Sequence, residues 1–135
     1  MRKIKQDRYI ESEHSIQASI MLWWKLQCTK FGLNECSLFA IPNGGRRDAI
    51  TGKKLKDEGV RPGVPDMMLA VSQYPFNGLF IELKKVGGRL SKEQIAYLEL
   101  LRSQGYYACV CYGFEDAIST ITKYLTGDLP CQNKD

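Results

Sequence analysis

Three residues of this chain have the types and the spacing that phosphodiester hydrolysis requires. Asp66 follows Pro65 at the head of one apolar run, and Glu82 and Lys84 end the next run, which starts at Leu79. Side chains alternate along a strand, so Glu82 and Lys84 share one face while the apolar residues between them face the other. Two carboxylates that share a divalent cation, beside an ammonium group, can carry out such a hydrolysis.

Each of the three residues also has a purely structural explanation. Asp66 is of the type that caps a turn, and Lys84 is of the type that emerges at the end of a strand. Glu82 could be a buried partner for Lys84 or Lys85. It is the hardest to explain this way, because burying even a neutral polar group without a partner costs about 2–7 kcal/mol.

A predicted helix over 12–31 brings in a third acid. Glu13 falls on the same helical sector as the apolar residues Ile16 and Ile20, so we expect it to point inward, with Gln17 one turn later. From there Glu13 could contact a metal ion or its water. The alternative is an acid placed in a first turn for its interaction with the helix dipole, worth about 0.3–1 kcal/mol.

Gln94 is a candidate of the same ambiguous kind. Ser91 and Gln94 have the spacing of a capping box at the start of a helix. The loop before Ser91 also borders the cleft that Asp66 and Glu82 would form. The sequence therefore leaves a capping role and a role in the site both open.

The remaining elements follow from apolar periodicity and turn residues. They predict an α/β chain with a hairpin of two strands, two further strands and three helices, around a polar segment whose helical character is interrupted at Thr51-Gly52. The predicted elements are a helix at 12–31, strands at 37–41, 67–71 and 79–83, a helix from 91, a strand at 106–112 and a helix at 114–125. We expect one domain over 1–135, with a core of about 11–126 and a frayed tail at 127–135.

Composition excludes several classes of protein. The chain has 135 residues, of which 44% are hydrophobic and 25% charged, which is ordinary for one globular domain. No apolar run approaches the roughly 20 residues of a membrane span, and no signal peptide is evident. Five cysteines without a C-x-x-C pair favour reduced, mostly buried thiols. We therefore expect a cytoplasmic protein with no membrane partner.

The positive charge is concentrated around the candidate acids. The net charge is +4 and the pI about 8.8, which alone only weakly indicates an anionic partner. Basic residues lie both before Asp66 and after Glu82, where they would contact nucleic acid; a solvated lysine-rich helix is the alternative. The candidates are Arg46, Arg47, Lys53, Lys54, Lys85, Arg89 and Lys92.

Taken in order, these residues resemble the VRR-NUC branch of the PD-(D/E)XK nuclease superfamily. The resemblance spans about 13–125 and rests on a combined string rather than on the acids alone. The string comprises Glu13, Gln17, Ile41-Pro42-Asn43-Gly44-Gly45, Gly63-Val64-Pro65-Asp66, Leu79-Phe80-Ile81-Glu82-Leu83-Lys84, Ser91 and Gln94. It implies a restriction-endonuclease-like core, with a central mixed β-sheet flanked by α-helices.

The resemblance also implies a mechanism. Mg²⁺ or Mn²⁺ would be held by Asp66, Glu82 and the backbone carbonyl of Leu83, with Glu13 contributing directly or through bound water. Lys84 would position the attacking water, with Gln94 as a further site residue. Gln17 and Asn43 would contact the nucleic acid.

The expected substrate is DNA with a branch or a flap, such as a four-way junction. A core this small has little surface for reading bases, so we expect recognition through phosphates. Two-fold related cuts favour a homodimer, for which Leu22 and Leu26 are candidate contacts. A restriction-type nuclease that reads sequence and a non-catalytic nucleic-acid-binding module are the alternatives.

Overall fold

The structure is a computed structural model that describes residues 12–42 and 49–132. Within these ranges one sheet has the strand order β1-β2-β3-β4 and is flanked by four α-helices. The strands are β1 (Leu38–Ala40), β2 (Met67–Leu69), β3 (Leu79–Lys84) and β4 (Tyr107–Tyr112), and the helices are α1 (Glu13–Gln27), α2 (Ala49–Asp57), α3 (Lys92–Ser103) and α4 (Phe114–Thr126). The predicted α/β class with a mixed sheet is confirmed.

The pairing of the strands explains why the sheet is mixed. β1 pairs antiparallel with β2, and β2 with β3, which confirms the predicted hairpin. β4 runs parallel to β3, and α3 connects the two, as a parallel pair requires. In this pairing Glu82 is the register partner of Val110, and Lys84 that of Tyr112.

The alternation along β3 assigns its two faces to different helices. Leu79, Ile81 and Leu83 belong to the main core, which includes residues of α1 and α4. Phe80 belongs to a second cluster, which includes residues of α3. Glu82 lies on the same face as Phe80, so its side chain meets α3. The predicted division of the strand into an apolar face and a face with Glu82 and Lys84 is therefore correct.

Helix α1 begins and ends at definite signals. The side chain of Ser12 accepts a hydrogen bond from the backbone N–H of Ser15, and the buried stripe is Ile16, Ile20 and Trp24. The helix is shorter than predicted, because a 3₁₀ turn replaces α-helix over Cys28–Phe31. This turn ends at Gly32, whose φ of 69° is in the left-handed region that glycine adopts readily because it has no Cβ.

Two predictions about local structure differ from the structure. α2 continues through Gly52 without a break, because a single glycine costs a helix only about 1 kcal/mol. Part of the segment predicted as a frayed tail contacts the fold: Leu129 packs against the main core, and the Gln132 amide both donates to and accepts from the backbone of Ala108. Residues 133–135 lie outside the described residues. In the described residues, no helix is long and apolar enough to cross a membrane.

Candidate active site

Asp66 is fixed where three strands reach the same end of the sheet. Its backbone carbonyl accepts from the N–H of Ile41, just beyond β1, at 2.7 Å. Its carboxylate oxygen Oδ2 accepts from the N–H of Leu83, in β3, at 2.7 Å. The side chain thus takes a place that a backbone carbonyl of β2 would otherwise occupy.

The proline before the aspartate also changes the ladder at this point. Met67 pairs with Ile81, so continuing the antiparallel register by two residues on each strand places Pro65 opposite Leu83. A proline has no N–H to donate to a ladder. The Leu83 carbonyl therefore receives no ladder hydrogen bond from Pro65, while the Leu83 N–H is bound by the Asp66 carboxylate.

Gly63 brings this segment against helix α3. It has a φ of 84°, and an added Cβ would overlap the Glu93 carbonyl and lie 2.8 Å from the Gln94 backbone nitrogen. Because those are backbone atoms, a larger residue could be accommodated only by moving the segment or the helix. The close contact holds the chain that leads to Asp66 next to the first turn of α3.

Gln94 completes the predicted capping box and also contacts Glu82. Its Oε1 accepts from the Ser91 N–H at 2.9 Å, and its own N–H donates to the Ser91 hydroxyl at 3.1 Å, which completes the capping box. Its Nε2 donates to Oε1 of Glu82 at 2.8 Å. The helix cap thus orients the amide so that its donor side faces Glu82.

Lys84 lies beside this pair with its stem enclosed. Its Nζ is 3.8 Å from Oε1 of Glu82, and its side chain is mostly buried. A Cβ added to Gly88 would lie 3.4 Å from Cβ and 3.5 Å from Cδ of Lys84. The loop after β3 therefore covers the aliphatic part of the lysine and limits the positions that the ammonium group can take.

The carboxyls of the buried Glu82 and the half-buried Asp66 hold protons more tightly than ordinary acids. Glu82 is only 3% exposed, and burial, followed by the negative charge of Asp66, raises its pKa to about 8. Burial also raises the pKa of Asp66, against the opposing effect of the Leu83 N–H. Near neutral pH Glu82 therefore keeps a proton.

Glu13 departs from its prediction. Its side chain is exposed rather than inward, because it lies at the first position of α1, beyond the stripe that begins at Ile16. Its charge nevertheless raises the pKa of both Asp66 and Glu82, so it lies near the pair. In the part of the chain that the structure describes, no three acidic, histidine or cysteine side chains group tightly enough to hold one metal ion.

The donor set at the pair suits a hard cation such as Mg²⁺. It consists of two carboxylates and the Leu83 carbonyl, all of them oxygen donors, and Mg²⁺ commonly binds one or two carboxylates while keeping several waters. The proton that Glu82 retains also marks a place where positive charge between the acids is favoured. Such an ion would be held by Asp66, Glu82 and Leu83, and the charge of Glu13 acts on both carboxyls.

The predicted nucleic-acid contacts fall into three groups. Lys85, Arg89 and Lys92 are exposed on the loop and helix start that follow Lys84. Lys53 and Lys54 are exposed on α2, and Lys53 is paired with Asp57 at 2.9 Å. Gln17 is half-buried on α1, one turn after Glu13. Asn43, Arg46 and Arg47 lie outside the described residues.

The fold and the sequence match those of VRR-NUC domains. A solved structure called "VRR_NUC domain protein" superimposes with a TM-score of 0.74 at 30% sequence identity, over 85% of this chain and 88% of that one. The model of the VRR-NUC domain family matches residues 5–115. The chain therefore belongs to the VRR-NUC domain family, which supports a nuclease function. No curated protein sequence matches the chain significantly.

Sequence reasoning missed two backbone contributions. The hydrogen bond from the Leu83 N–H to Asp66 needed the strand register, which Pro65 alone does not reveal. The contact of Gly63 with α3 is long-range, although a glycine three residues before Asp66 was a visible signal.

The raised pKa of Glu82 makes the stability of the metal-free protein depend on pH. An unfolded glutamate ionises near 4.5, whereas folded Glu82 keeps its proton to about 8. The stability that this group contributes is thus complete below pH 4.5 and is lost as the pH rises to about 8, by at most about 1.4 kcal/mol per pH unit. Denaturant unfolding of the wild type and of Glu82→Gln from pH 5 to 8.5 should show the wild type losing stability relative to the variant.

The matched control is Glu99→Gln, which removes an exposed acid from the middle of α3. Its difference from the wild type should not change over this pH range. A constant difference between the wild type and Glu82→Gln would contradict the raised pKa.

Gln94→Ala should destabilise the protein by about 1–3 kcal/mol, because Glu82 loses a buried donor and the helix loses half of its capping box. Gln94→Glu keeps an acceptor for Ser91 but directs a third carboxylate at Glu82, so its destabilisation should grow between pH 5 and 8. Denaturant unfolding measures both variants.

The matched control is Gln104→Ala, at the exposed end of α3, which should have little effect. Equal loss of stability in Gln94→Ala and Gln104→Ala would contradict the double role of Gln94.

Proposed function

We propose that this chain is a metal-dependent endonuclease of the PD-(D/E)XK type that hydrolyses phosphodiester bonds in branched or flapped DNA. One observation carries the proposal: at the end of the sheet the Asp66 carboxylate binds the Leu83 N–H, directly next to the buried Glu82, and the Lys84 Nζ lies 3.8 Å from Glu82. Membership of a nuclease-type family supports the same chemistry. The roles below follow from these positions.

Asp66, Glu82 and the Leu83 carbonyl are the proposed ligands of Mg²⁺ or Mn²⁺. Such an ion supplies Lewis-acid activation of a water and neutralises charge on the phosphate. Binding it requires Glu82 to lose its proton, and Gln94 keeps the carboxylate oriented during that change. Glu13 is proposed to contact water at the same place rather than to complete the ligand set.

Lys84 is the proposed catalytic cation. It faces the carboxyl pair, and its stem is held by the loop at Gly88, so its ammonium group is positioned before the substrate arrives. A fixed positive charge can orient the attacking water and stabilise the negative charge that develops on the phosphate. Preorganisation of this kind requires no rearrangement during the reaction.

The basic residues around the site are proposed to bind the phosphate backbone. Lys85, Arg89 and Lys92 follow directly from the catalytic lysine and are exposed. Contacts of this type bind without reading sequence and weaken with salt. The other proposed contacts are Gln17, Asn43, Arg46, Arg47, Lys53 and Lys54.

Wild-type protein should cleave labelled four-way or flapped DNA in Mg²⁺ or Mn²⁺, and excess EDTA should stop it. Asp66→Ala and Lys84→Ala should abolish cleavage because they remove a ligand and the catalytic cation. Gel analysis of linear, flapped, single-stranded and four-way DNAs of related sequence measures the products, and a binding assay should show that both variants still bind DNA.

Lys30→Ala, which removes an exposed lysine from the 3₁₀ turn after α1, is the matched control and should cleave normally. Cleavage that survives EDTA would contradict the metal mechanism. Cutting at a fixed site in linear duplex would favour a restriction-type nuclease instead. Shape-selective binding with no cleavage in either metal would favour a non-catalytic module.

We further propose that two copies act together on the two-fold related bonds of a junction. Leu22 and Leu26 support this, because they lie one turn apart on α1 and are both exposed. Replacing both by lysine should shift the protein from dimer to monomer in size-exclusion chromatography with light scattering, since burying them would no longer be favourable. The matched control replaces Ile95 and Leu100, which are exposed on α3, by lysine and should leave the dimer intact. A wild type that is monomeric at all concentrations would contradict the proposal.

A further inference from the structure

A large aromatic side chain lies beside the proposed catalytic lysine without contributing to the core. Tyr112 is the last residue of β4 and pairs in register with Lys84, the last residue of β3. Adjacent strands are about 4.8 Å apart and register partners share a face. Tyr112 is 44% exposed, whereas Ala108 and Val110 on the same face join the cluster around α3.

The loop that follows Lys84 adds a second exposed apolar group. Lys85 to Gly88 form a turn closed by a 2.9 Å hydrogen bond from the Gly88 N–H to the Lys85 carbonyl. The turn has Val86 at its tip, 84% exposed, and Gly87 at a φ of 84°. Lys85 and Arg89 lie on either side of Val86 in the sequence, so an apolar tip sits among cations.

Both groups lie within two residues of Lys84, Val86 along the chain and Tyr112 across the sheet. We propose that Tyr112 stacks on an unpaired base next to the scissile phosphate and that Val86 fills the adjoining break in base stacking. The proposal rests on the proposed nuclease function and makes it more specific: it gives the site a preference for DNA in which a base face is open.

The physical reason is that a continuous duplex offers no free base face. Every interior base is stacked on both sides, so an aromatic residue at the site can gain contact only where stacking is interrupted, as at a flap or a branch. Base–aromatic stacking tolerates any sequence, because every base has a flat face. Apolar side chains are also used to enter between base steps, next to basic residues that hold the backbone. The preference would thus be for structure and not for sequence.

The test uses a flapped duplex that carries 2-aminopurine as its first unpaired base, and a continuous duplex of the same sequence. Ca²⁺ replaces Mg²⁺ so that binding is measured apart from cleavage, and stacking is followed by quenching of the 2-aminopurine fluorescence. Tyr112→Leu removes the ring but keeps apolar volume, and Tyr112→Phe keeps the ring. The matched control is Tyr74→Leu, which alters a 95% exposed tyrosine in the loop at the opposite end of β3.

We expect wild type, Tyr112→Phe and Tyr74→Leu to quench the fluorescence and to prefer the flapped DNA. Tyr112→Leu should lose the quenching and bind the flapped DNA roughly 5- to 150-fold more weakly, the range for one base–aromatic contact, with its affinity for continuous duplex unchanged. Val86→Ser should lower the ratio of the two affinities by a smaller factor. Circular dichroism and thermal unfolding verify that each variant is folded.

Quenching and preference that persist in Tyr112→Leu would overturn the proposal, and so would an equal loss of affinity for both DNAs. An unchanged ratio in Val86→Ser would remove Val86 from the contact. These outcomes are separate from a failure of the proposed function, which would appear as absence of cleavage by the wild type in Mg²⁺ and Mn²⁺.

Discussion

The burial of the Glu82 carboxyl group within a central strand of the sheet is the constraint on which the site depends. A carboxylate there is unfavourable unless its charge is neutralised and its oxygens are hydrogen-bonded. The Gln94 amide supplies a donor, and the proton that Glu82 keeps to about pH 8 removes the charge. A bound cation would neutralise the same charge without the proton. The stability of the free protein and the proposed binding of a cation would thus both depend on one buried group.

The local backbone chemistry keeps Asp66 close to this group. Pro65 has no N–H to donate to the Leu83 carbonyl in the ladder between β2 and β3, and the Asp66 carboxylate binds the Leu83 N–H. Gly63 allows the same segment to approach α3 more closely than any side chain would permit. The two acids therefore lie where the regular pairing of β2 with β3 ends. A strand that continued normally would bury Asp66 or turn it away.

Features set by local periodicity could be predicted from the sequence, and features set by register could not. The alternation along β3 and the capping box at Ser91 depend on spacings of two and three residues, and both are present. The exposure of Glu13 was missed because the helical period predicts which side of the helix a residue faces. It does not predict how far along the helix the contact with the core extends. The pairing of Gln132 with Ala108 joins residues 24 apart in sequence, and no local pattern encodes it.

The structural alternative for Glu82, a buried ion pair with Lys84, accounts for only part of this geometry. A charge-assisted hydrogen bond between an ammonium and a carboxylate is about 2.7–2.9 Å long, whereas these atoms are 3.8 Å apart. A Glu82 that retains its proton near neutral pH also offers Lys84 little charge. The ammonium group consequently keeps capacity to donate to another acceptor on the same side of the sheet. A lysine whose stem is held in place, and whose ammonium group is not fully paired with Glu82, could donate hydrogen bonds to a phosphate or to an attacking water.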